Sequence, residues 1–411
     1  MSLSGKHIIV GISGGIAAYK IPELIRSLVK AGAEVRVATT RNALQFVTEL
    51  TLQTVSGSRV YSDVFAAINE HATEHISLPE WCDAMIVAPA TANVLGKMAS
   101  GIADDALTTT IASCVARKPM VIAPAMNDKM WENPATQSAI RTIREWEHVR
   151  VLEPVEGPLA CGTCGKGRMP EIAELQEALE YALAPQTMSG QQVLITAGGT
   201  QEQIDPVRFI SNYSTGKMGF ALAQACARRG AEVTLVCGAV SASLANPYGT
   251  IHRLDALSAQ AMYEACVAAW PHMDSAILCA AVADFTPASP AAEKIKKEAL
   301  ASDSYTVHPT PYTLSLRETA DIARALGESK RADQKLIGFA LETNDEKKNA
   351  LHKLERKHLD AIILNSLRDK GAGFGTDTNV VTILQADGTV TALPLQSKAL
   401  ISEEILRVLF S

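Results

Sequence analysis

The sequence predicts an α/β protein with two doubly wound, mostly parallel sheets, one after the other. Three observations predict it. The same opening occurs twice, an apolar strand, a glycine-bearing loop and a helix: HIIV-GISGGIAAYK-IPELIRSLVK from Lys6, and QVLIT-AGGTQEQIDPVRFISNYSTGKMG-FALAQACARRG from Gln192. Apolar runs alternate with amphipathic stretches along both halves, the pattern of a parallel sheet covered by helices. And 411 residues exceed what one compact core organises, so two domains are the default.

In the first half the strands are expected at 7–10, 34–38, 84–88, 120–123 and 150–152, with helices beginning near Ile16, Gln45, Asn93, Thr108, Asn133 and Glu171. Ala184-Pro-Gln-Thr-Met-Ser-Gly190 follows one helix and precedes a fresh strand, and its proline and glycine mark the domain boundary. We therefore divide the chain at 1–188 and 189–411. The second half restarts with strands at 193–197, 232–236, 276–280, 335–340 and 360–365. A closing pair, 380–384 and 390–393, flanks Ala386-Asp-Gly388 and reads as a hairpin. The last helix starts near Ser397. Both domains read as Rossmann-like.

Composition narrows the function. The chain is 47% hydrophobic and 20% charged, ordinary for a soluble globular protein. A formal net charge of −6 argues against a nucleic-acid binder, whose domain is normally basic. No segment reaches the apolar length of a membrane span, and no basic-then-apolar leader opens the chain. The eight cysteines are scattered through core elements, as expected of reduced thiols in a cytoplasmic protein.

A strand running into a glycine loop and a helix N-terminus offers free backbone N–H groups and the positive end of a dipole, which suits a phosphate. Neither loop is a clean G-x-G-x-x-G. The second strand of each domain ends without an acidic residue to hold an adenosine ribose: Ala38-Thr-Thr40 in one, Val236-Cys-Gly238 in the other. A nicotinamide-dependent oxidoreductase is thereby disfavoured, and a mononucleotide is favoured.

Four features follow the first loop: His75 in His75-Ile-Ser-Leu78, Ala88-Pro-Ala-Thr-Ala-Asn93, Pro124-Ala-Met-Asn-Asp-Lys-Met-Trp131, and Ala160-Cys-Gly-Thr-Cys-Gly-Lys-Gly-Arg-Met169. Each alone has an ordinary structural explanation. Cys161-x-x-Cys164 reads as a redox pair or as half a metal site, but no second cysteine pair or nearby histidine completes a zinc set.

Together these features resemble the flavin-dependent cysteine decarboxylases that act on peptidyl-cysteine or on phosphopantothenoylcysteine, over nearly all of residues 1–180. The resemblance implies a flavodoxin-like domain with bound FMN, assembled as a trimer. It implies His75 as catalytic base, Asn127 as the residue binding the substrate's carboxylate or amide region, and Cys161 as proton donor. It implies Gly11, Ser13, Gly14, Gly15, Thr39, Ala90, Thr91 and Asn93 around the flavin. Cys164 falls on a variable position of the family's loop, which leaves open a Cys161–Cys164 disulfide under oxidation.

The second half carries R-F-I-S-N-x-S-T-G-K-M-G from Arg208, A-A-V-A-D ending at Asp284, and E-K-I-K-K from Glu293. By spacing alone the lysine run reads as a solvated face, and Lys353 and Lys357 share one helix face at i, i+4. The whole pattern resembles phosphopantothenate–cysteine ligase over about residues 190–400, which in bacteria is fused behind the decarboxylase. That implies CTP bound by Ala280, Asp284, Lys294, Pro311, Tyr312, Thr313, Leu314, Phe339, Lys353 and Lys357. Lys294 is then the leading catalytic candidate, and Arg208 and Asn212 hold an acyl-cytidylate. Tyr312 departs from the aspartate that many relatives place in this turn.

The expectation is a bifunctional enzyme of coenzyme A biosynthesis. It joins 4'-phosphopantothenate to cysteine with CTP and Mg²⁺, then decarboxylates the product with FMN. Its metal ligands are not identified by the sequence. The resemblance also implies dimeric ligase domains; with trimeric flavin domains these two symmetries close as a dodecamer. A non-catalytic regulatory flavoprotein is the remaining alternative, and Cys161 together with the complete second half argues against it.

Overall fold

A computed structural model describes the chain except residues 1–2, 66–73, 159–163, 242, 297–311, 343–344, 367–370, 372, 374 and 411, and except the side chains at 74–75, 158, 164 and 342. It resolves into two compact units, Met1–Pro185 with Ala245–Tyr248, and Gln186–Leu244 with Gly249–Ser411.

The strands of the first unit are β1 (His7–Ile12), β2 (Glu34–Thr39), β3 (Val60–Tyr61), β4 (Ala84–Ala90), β5 (Met120–Pro124), β6 (Val149–Val151), β7 (Val155–Pro158) and β8 (Cys164–Arg168). The first six make one parallel sheet in the order β3-β2-β1-β4-β5-β6. Setting aside the two-residue β3, the order is that of a flavodoxin-like sheet. β7 and β8 pair antiparallel as a separate ribbon.

The helices are α1 (Ile21–Lys30), α2 (Glu49–Ser56), α3 (Glu74–Trp81), α4 (Ala92–Ala99), α5 (Ala106–Cys114), α6 (Asp128–Glu132), α7 (Pro134–Arg144) and α8 (Ile172–Leu183). They cover both faces of the sheet, so its strands need apolar residues on both sides. In β1, Ile8, Val10 and Ile12 pack with Leu24 and Leu28 of α1 and Leu175 of α8, while Ile9 packs on the other side with Leu95 and Leu107.

Two helix starts differ from the sequence reading. After Gly15 the chain makes a 3₁₀ turn, Ile16–Lys20, and α1 begins at Ile21 with a proline in its first turn. Where a helix was expected from Gln45, Thr40 caps a 3₁₀ turn that ends there, and Thr48 caps α2. Two hydroxyl caps close together split the segment.

The second unit contains β9 (Gln192–Ala197), β10 (Gln201–Gln203), β11 (Phe209–Ser211), β12 (Glu232–Cys237), β13 (Ile251–Asp255), β14 (Ser275–Leu278), β15 (Phe285–Pro287), β16 (Leu316–Glu318), β17 (Lys335–Glu342), β18 (Ala361–Ser366), β19 (Thr378–Gln385) and β20 (Val390–Ser397). Eight of these form a sheet, β13-β12-β9-β14-β17-β18-β19-β20, parallel as far as β18 and antiparallel beyond. β10–β11 and β15–β16 are two-stranded ribbons. The helices are α9 (Lys217–Arg228), α10 (Ala259–Ala269), α11 (Ile322–Glu328), α12 (Glu346–Arg356) and α13 (Lys398–Leu409).

Val193 and Ile195 of β9 pack with α9 and α13 on one face, and Leu194 packs with Met262, Trp270 and Leu354 on the other. α9 lies close against β9: a Cβ on Gly219 would stand 2.5 Å from the Cβ of Ala197. This contact sets the α9 N-terminus at the carboxyl edge of the sheet, where ligands bind in open α/β folds.

Candidate active sites

In the first unit, the loops after β1, β2, β4 and β5 and the end of β8 enclose a cavity of about 1030 Å³. Ser13 organises its floor. Its Oγ donates to the Pro89 carbonyl at 2.7 Å and accepts from the Thr91 amide at 3.0 Å. Its own amide donates to the same carbonyl at 3.3 Å. The Ala88–Pro89 peptide is cis. Gly14 presses on the neighbouring loop, where a Cβ would sit 2.6 Å from the Cβ of Asn42.

Of the residues assigned to the flavin, Ser13, Gly14, Gly15, Thr91 and Asn93 line this cavity. Gly11, Thr39 and Ala90 are not part of its lining. A Cβ on Gly11 would meet Leu107 at 2.6 Å, so this glycine admits α5 against the sheet. Thr39 is fully buried, and its Oγ1 has no partner among the described residues. The buried Ala90 accepts a hydrogen bond from the Ala125 amide at 3.0 Å.

Asn127 also lines the cavity and caps α6, its Oδ1 accepting from the Lys129 amide at 3.0 Å. The Pro124–Trp131 motif and the later glycine-rich motif are brought together. The Met126 amide donates to Gly167 at 3.0 Å, and a Cβ on Gly167 would fall 2.2 Å from the Met126 oxygen. Gly165 is pressed in the same way on Asp128, at 2.9 Å. Gly167 thus allows two backbones to touch, and Gly165 admits the Asp128 side chain. His75 is the second residue of α3, and Cys164 opens β8; their side chains lie outside the described residues, as does all of Cys161.

The sequence reading missed Lys97, which lines the cavity between Asp104 at 2.5 Å and Asp105 at 3.1 Å. Those carboxylates, Asp104 foremost, hold its ammonium above the usual lysine range.

In the second unit, a cavity of about 530 Å³ opens at the carboxyl ends of β9, β14 and β17. Ala280, Asp284, Phe339, Lys353 and Lys357 all line it. The segment after β14 is laced to the glycine loop: Thr196 Oγ1 accepts from the Ala280 amide at 3.1 Å and Thr200 Oγ1 from the Ala283 amide at 3.0 Å. Lys357 pairs with Asp321 at 3.0 Å, and Asp321 caps α11 through the Arg324 amide at 3.1 Å. Burial works against the Asp321 carboxylate, but Lys357 and that amide outweigh it and keep its pKa low.

Arg208, Asn212 and Lys294 stand beside this cavity rather than in its wall. Asn212 Nδ2 donates at 2.8 Å to the carbonyl of Ala281, itself a lining residue. Arg208 pairs with the buried Asp205 and donates to the Ile295 carbonyl at 2.8 Å. Asp205 in turn accepts from the Ile295 amide at 3.1 Å. The exposed Lys294 is thereby fixed in backbone position next to Arg208. Arg208, followed by the backbone amides of Val207, Ile295 and Arg208, holds the Asp205 carboxyl far below the ordinary range despite its burial. Tyr312, Thr313 and Leu314 are outside the cavity lining, with Tyr312 half exposed at 51%; Pro311 lies outside the described residues.

Lys217 and Lys398 also line this cavity. Lys217 was visible as part of the glycine loop. Lys398 carried no sequence signal, because only the packing of α13 beside α9 brings it here. Among the described residues no group of three or more His, Cys, Asp or Glu is placed to hold a metal, and no helix is long and apolar enough to cross a membrane.

Comparison with known proteins follows the same division. Residues 1–183 match the family described as Flavoprotein, and residues 188–411 match the DNA/pantothenate metabolism flavoprotein C-terminal domain. The chain is 45% identical over 408 residues to the coenzyme A biosynthesis bifunctional protein CoaBC of Bacillus subtilis (strain 168), covering 98% of this chain and 97% of that one. It is 40% identical over 407 residues to the protein of the same name from Escherichia coli (strain K12), covering 99% and 97%. A cysteine/cysteine sulfinic acid decarboxylase from an unknown prokaryotic organism is 44% identical over 366 residues, covering 88% and 98%.

Proposed function

The chain belongs to the family of bifunctional coenzyme A biosynthesis proteins, and on that premise we propose how its residues divide the work. It is an enzyme with two activities, phosphopantothenate–cysteine ligase and phosphopantothenoylcysteine decarboxylase, the second in a flavoprotein domain. We assign the decarboxylase to residues 1–188 and the ligase to 189–411.

The ligase acts first. The carboxylate of 4'-phosphopantothenate attacks the α-phosphorus of CTP and pyrophosphate leaves; the cysteine amine then attacks the acyl-cytidylate and CMP leaves. All the reacting partners of the first step are anionic, so the site must supply cations. Lys353 and Lys357 face the cavity beside Asp284 and Phe339, and this convergence carries the reading. Lys294 stabilises the charge that builds on the leaving group, with Mg²⁺ arriving on the triphosphate. Arg208 and Asn212 hold the acyl-cytidylate.

The first-unit cavity suits FMN: its volume is ample for a mononucleotide, and Gly14 permits an approach of backbone that any side chain would block. Ser13, Gly14, Gly15, Thr91 and Asn93 would hold the group. When bound, FMN would take two electrons at the cysteine sulfur, giving the breaking carbon–carbon bond an electron sink, and would give them back once CO₂ is lost. His75 removes the proton that this oxidation requires. Asn127 orients the substrate's carboxylate or amide region. Cys161 returns a proton to the decarboxylated product. We place the enzyme in the cytoplasm as a homo-oligomer of trimeric flavin domains and dimeric ligase domains.

The test is direct. Purified protein should be yellow after FMN is supplied, and should convert phosphopantothenate, cysteine and CTP into phosphopantetheine, CMP, pyrophosphate and CO₂. A colourless preparation that releases no pyrophosphate overturns the assignment.

A further inference from the structure

Two lysines stand where helix physics disfavours them. Lys217 is the first residue of α9 and Lys398 the first of α13. A helix N-terminus carries partial positive charge and favours anions. Lys217 is answered by Asp377 at 2.6 Å and also donates to the Gly375 carbonyl at 3.2 Å. Lys398 has no carboxylate partner among the described residues. Its ammonium donates to two carbonyls, Thr376 at 2.6 Å and Gly373 at 3.2 Å. Its third N–H finds no protein acceptor among the described residues.

The position is built for this. Lys398 is only 8% exposed and lines the ligase cavity with Lys217 and Gly373. Gly371, Gly373 and Gly375 adopt φ of +87°, +114° and +76°, a backbone course that glycine takes without strain. The carbonyls that grip the ammonium belong to this loop. Desolvation, and then the neighbouring Lys217, pull the Lys398 pKa below the ordinary lysine value. The other groups facing it are Asp377, already paired with Lys217, and Cys279, whose thiol burial pushes up to about 12 and so keeps neutral. Lys217, Lys398 and Asp377 together leave one positive charge uncompensated at the cavity wall.

We propose that Lys398 is a substrate-contacting residue of the ligase, its free N–H completing on the triphosphate of the nucleotide while the other two hold the carbonyls of Gly373 and Thr376. This rests on the ligase reading above. Of the substrates, the triphosphate carries the most negative charge, and a buried ammonium without a counter-ion is best answered by it.

The experiment uses the full chain and calorimetric titration with three probes: CTP, inorganic tripolyphosphate and phosphopantothenate. Lys398→Met should weaken CTP and tripolyphosphate by about 10- to 100-fold, the range for a hydrogen bond to a charged group. Phosphopantothenate binding should be unchanged, and Lys398→Arg should retain most of the CTP affinity. In the wild type, CTP affinity should fall as pH rises through the lowered range of Lys398, and this dependence should flatten in Lys398→Arg. If the wild type binds CTP and Lys398→Met binds it equally well, this proposal fails while the ligase reading stands. If phosphopantothenate alone weakens, the residue serves the acid and the proposal is again wrong. If the wild type binds neither CTP nor tripolyphosphate, the ligase reading itself fails. Should Lys398→Met not fold, hydrogen exchange on the wild type decides: CTP must slow the amides of 371–377, and no slowing overturns the proposal.

Discussion

Both units open a cavity at the carboxyl edge of a parallel sheet, yet the contacts that stand out around the two differ in kind. The first site is closely packed at glycines from two segments: Gly14 of the first loop against Asn42, and Gly165 and Gly167 of β8 against Asp128 and Met126. The second loop inserts the β10–β11 ribbon before reaching its helix, and its surroundings are fastened by charge: Asp205 to Arg208, Lys357 to Asp321, Lys217 to Asp377. The contrast fits the ligands proposed. A flat apolar ring system needs close walls, whereas a triphosphate and a carboxylate need cations held apart until they arrive. The first site should therefore fail foremost by changes of size, and the second by changes of charge as well as of size, since Gly216 and Gly219 are packed as closely there.

The sharpest break is Gly14→Val. Its Cβ already lands 2.6 Å from Asn42, so bound flavin should be lost, with affinity down more than about 100-fold if two or more contacts go. Pyrophosphate release should continue; its loss would show that the halves are not separately breakable. Next is Lys294→Gln, which should slow pyrophosphate release by roughly 10²–10³-fold while the flavin spectrum stays unchanged. Normal release of pyrophosphate would remove Lys294 from the chemistry.

Asp205→Asn should cost the ligase roughly 10- to 100-fold, because Arg208 and the Lys294 backbone both hang on that carboxylate. The pH dependence gives a second check. The folded-state pKa of Asp205 lies below its unfolded value, so its contribution to stability is present above about pH 4 and is lost on acidification. The stability gap between wild type and Asp205→Asn, measured by denaturant unfolding, should close as pH falls through that range. A gap that persists in acid would mean that the carboxylate is not what holds the loop.

Smallest is Ser13→Ala, a change of polarity without added bulk. It strands the Thr91 amide and should cost about 1–3 kcal/mol of stability while flavin still binds. Flavin loss as complete as in Gly14→Val would end the size-against-charge distinction.

The sheets were legible because buried parallel strands are continuous apolar runs; β4 is buried at all seven positions and could hardly be read otherwise. β13 was missed because it is an edge strand, exposed at four of its five residues and carrying His252, Arg253 and Asp255. β3 is two residues long, below the reach of any periodicity. The cavity residues followed unevenly. Asp284 lies in the segment that follows a buried strand, and Lys353 and Lys357 stand at one helix end at i, i+4; local pattern finds such positions. Lys398 lies 181 residues from Lys217 in the chain, and nothing local announces that they will meet across one loop.

The grip on Ile295 has a thermodynamic corollary. With its amide held by Asp205 and its carbonyl by Arg208, the peptide beside Lys294 has surrendered its freedom before any reactant enters. What remains to be given up is the wandering of one aliphatic stem, at most about 2 kcal/mol, instead of the far larger sum that immobilising a stretch of main chain demands.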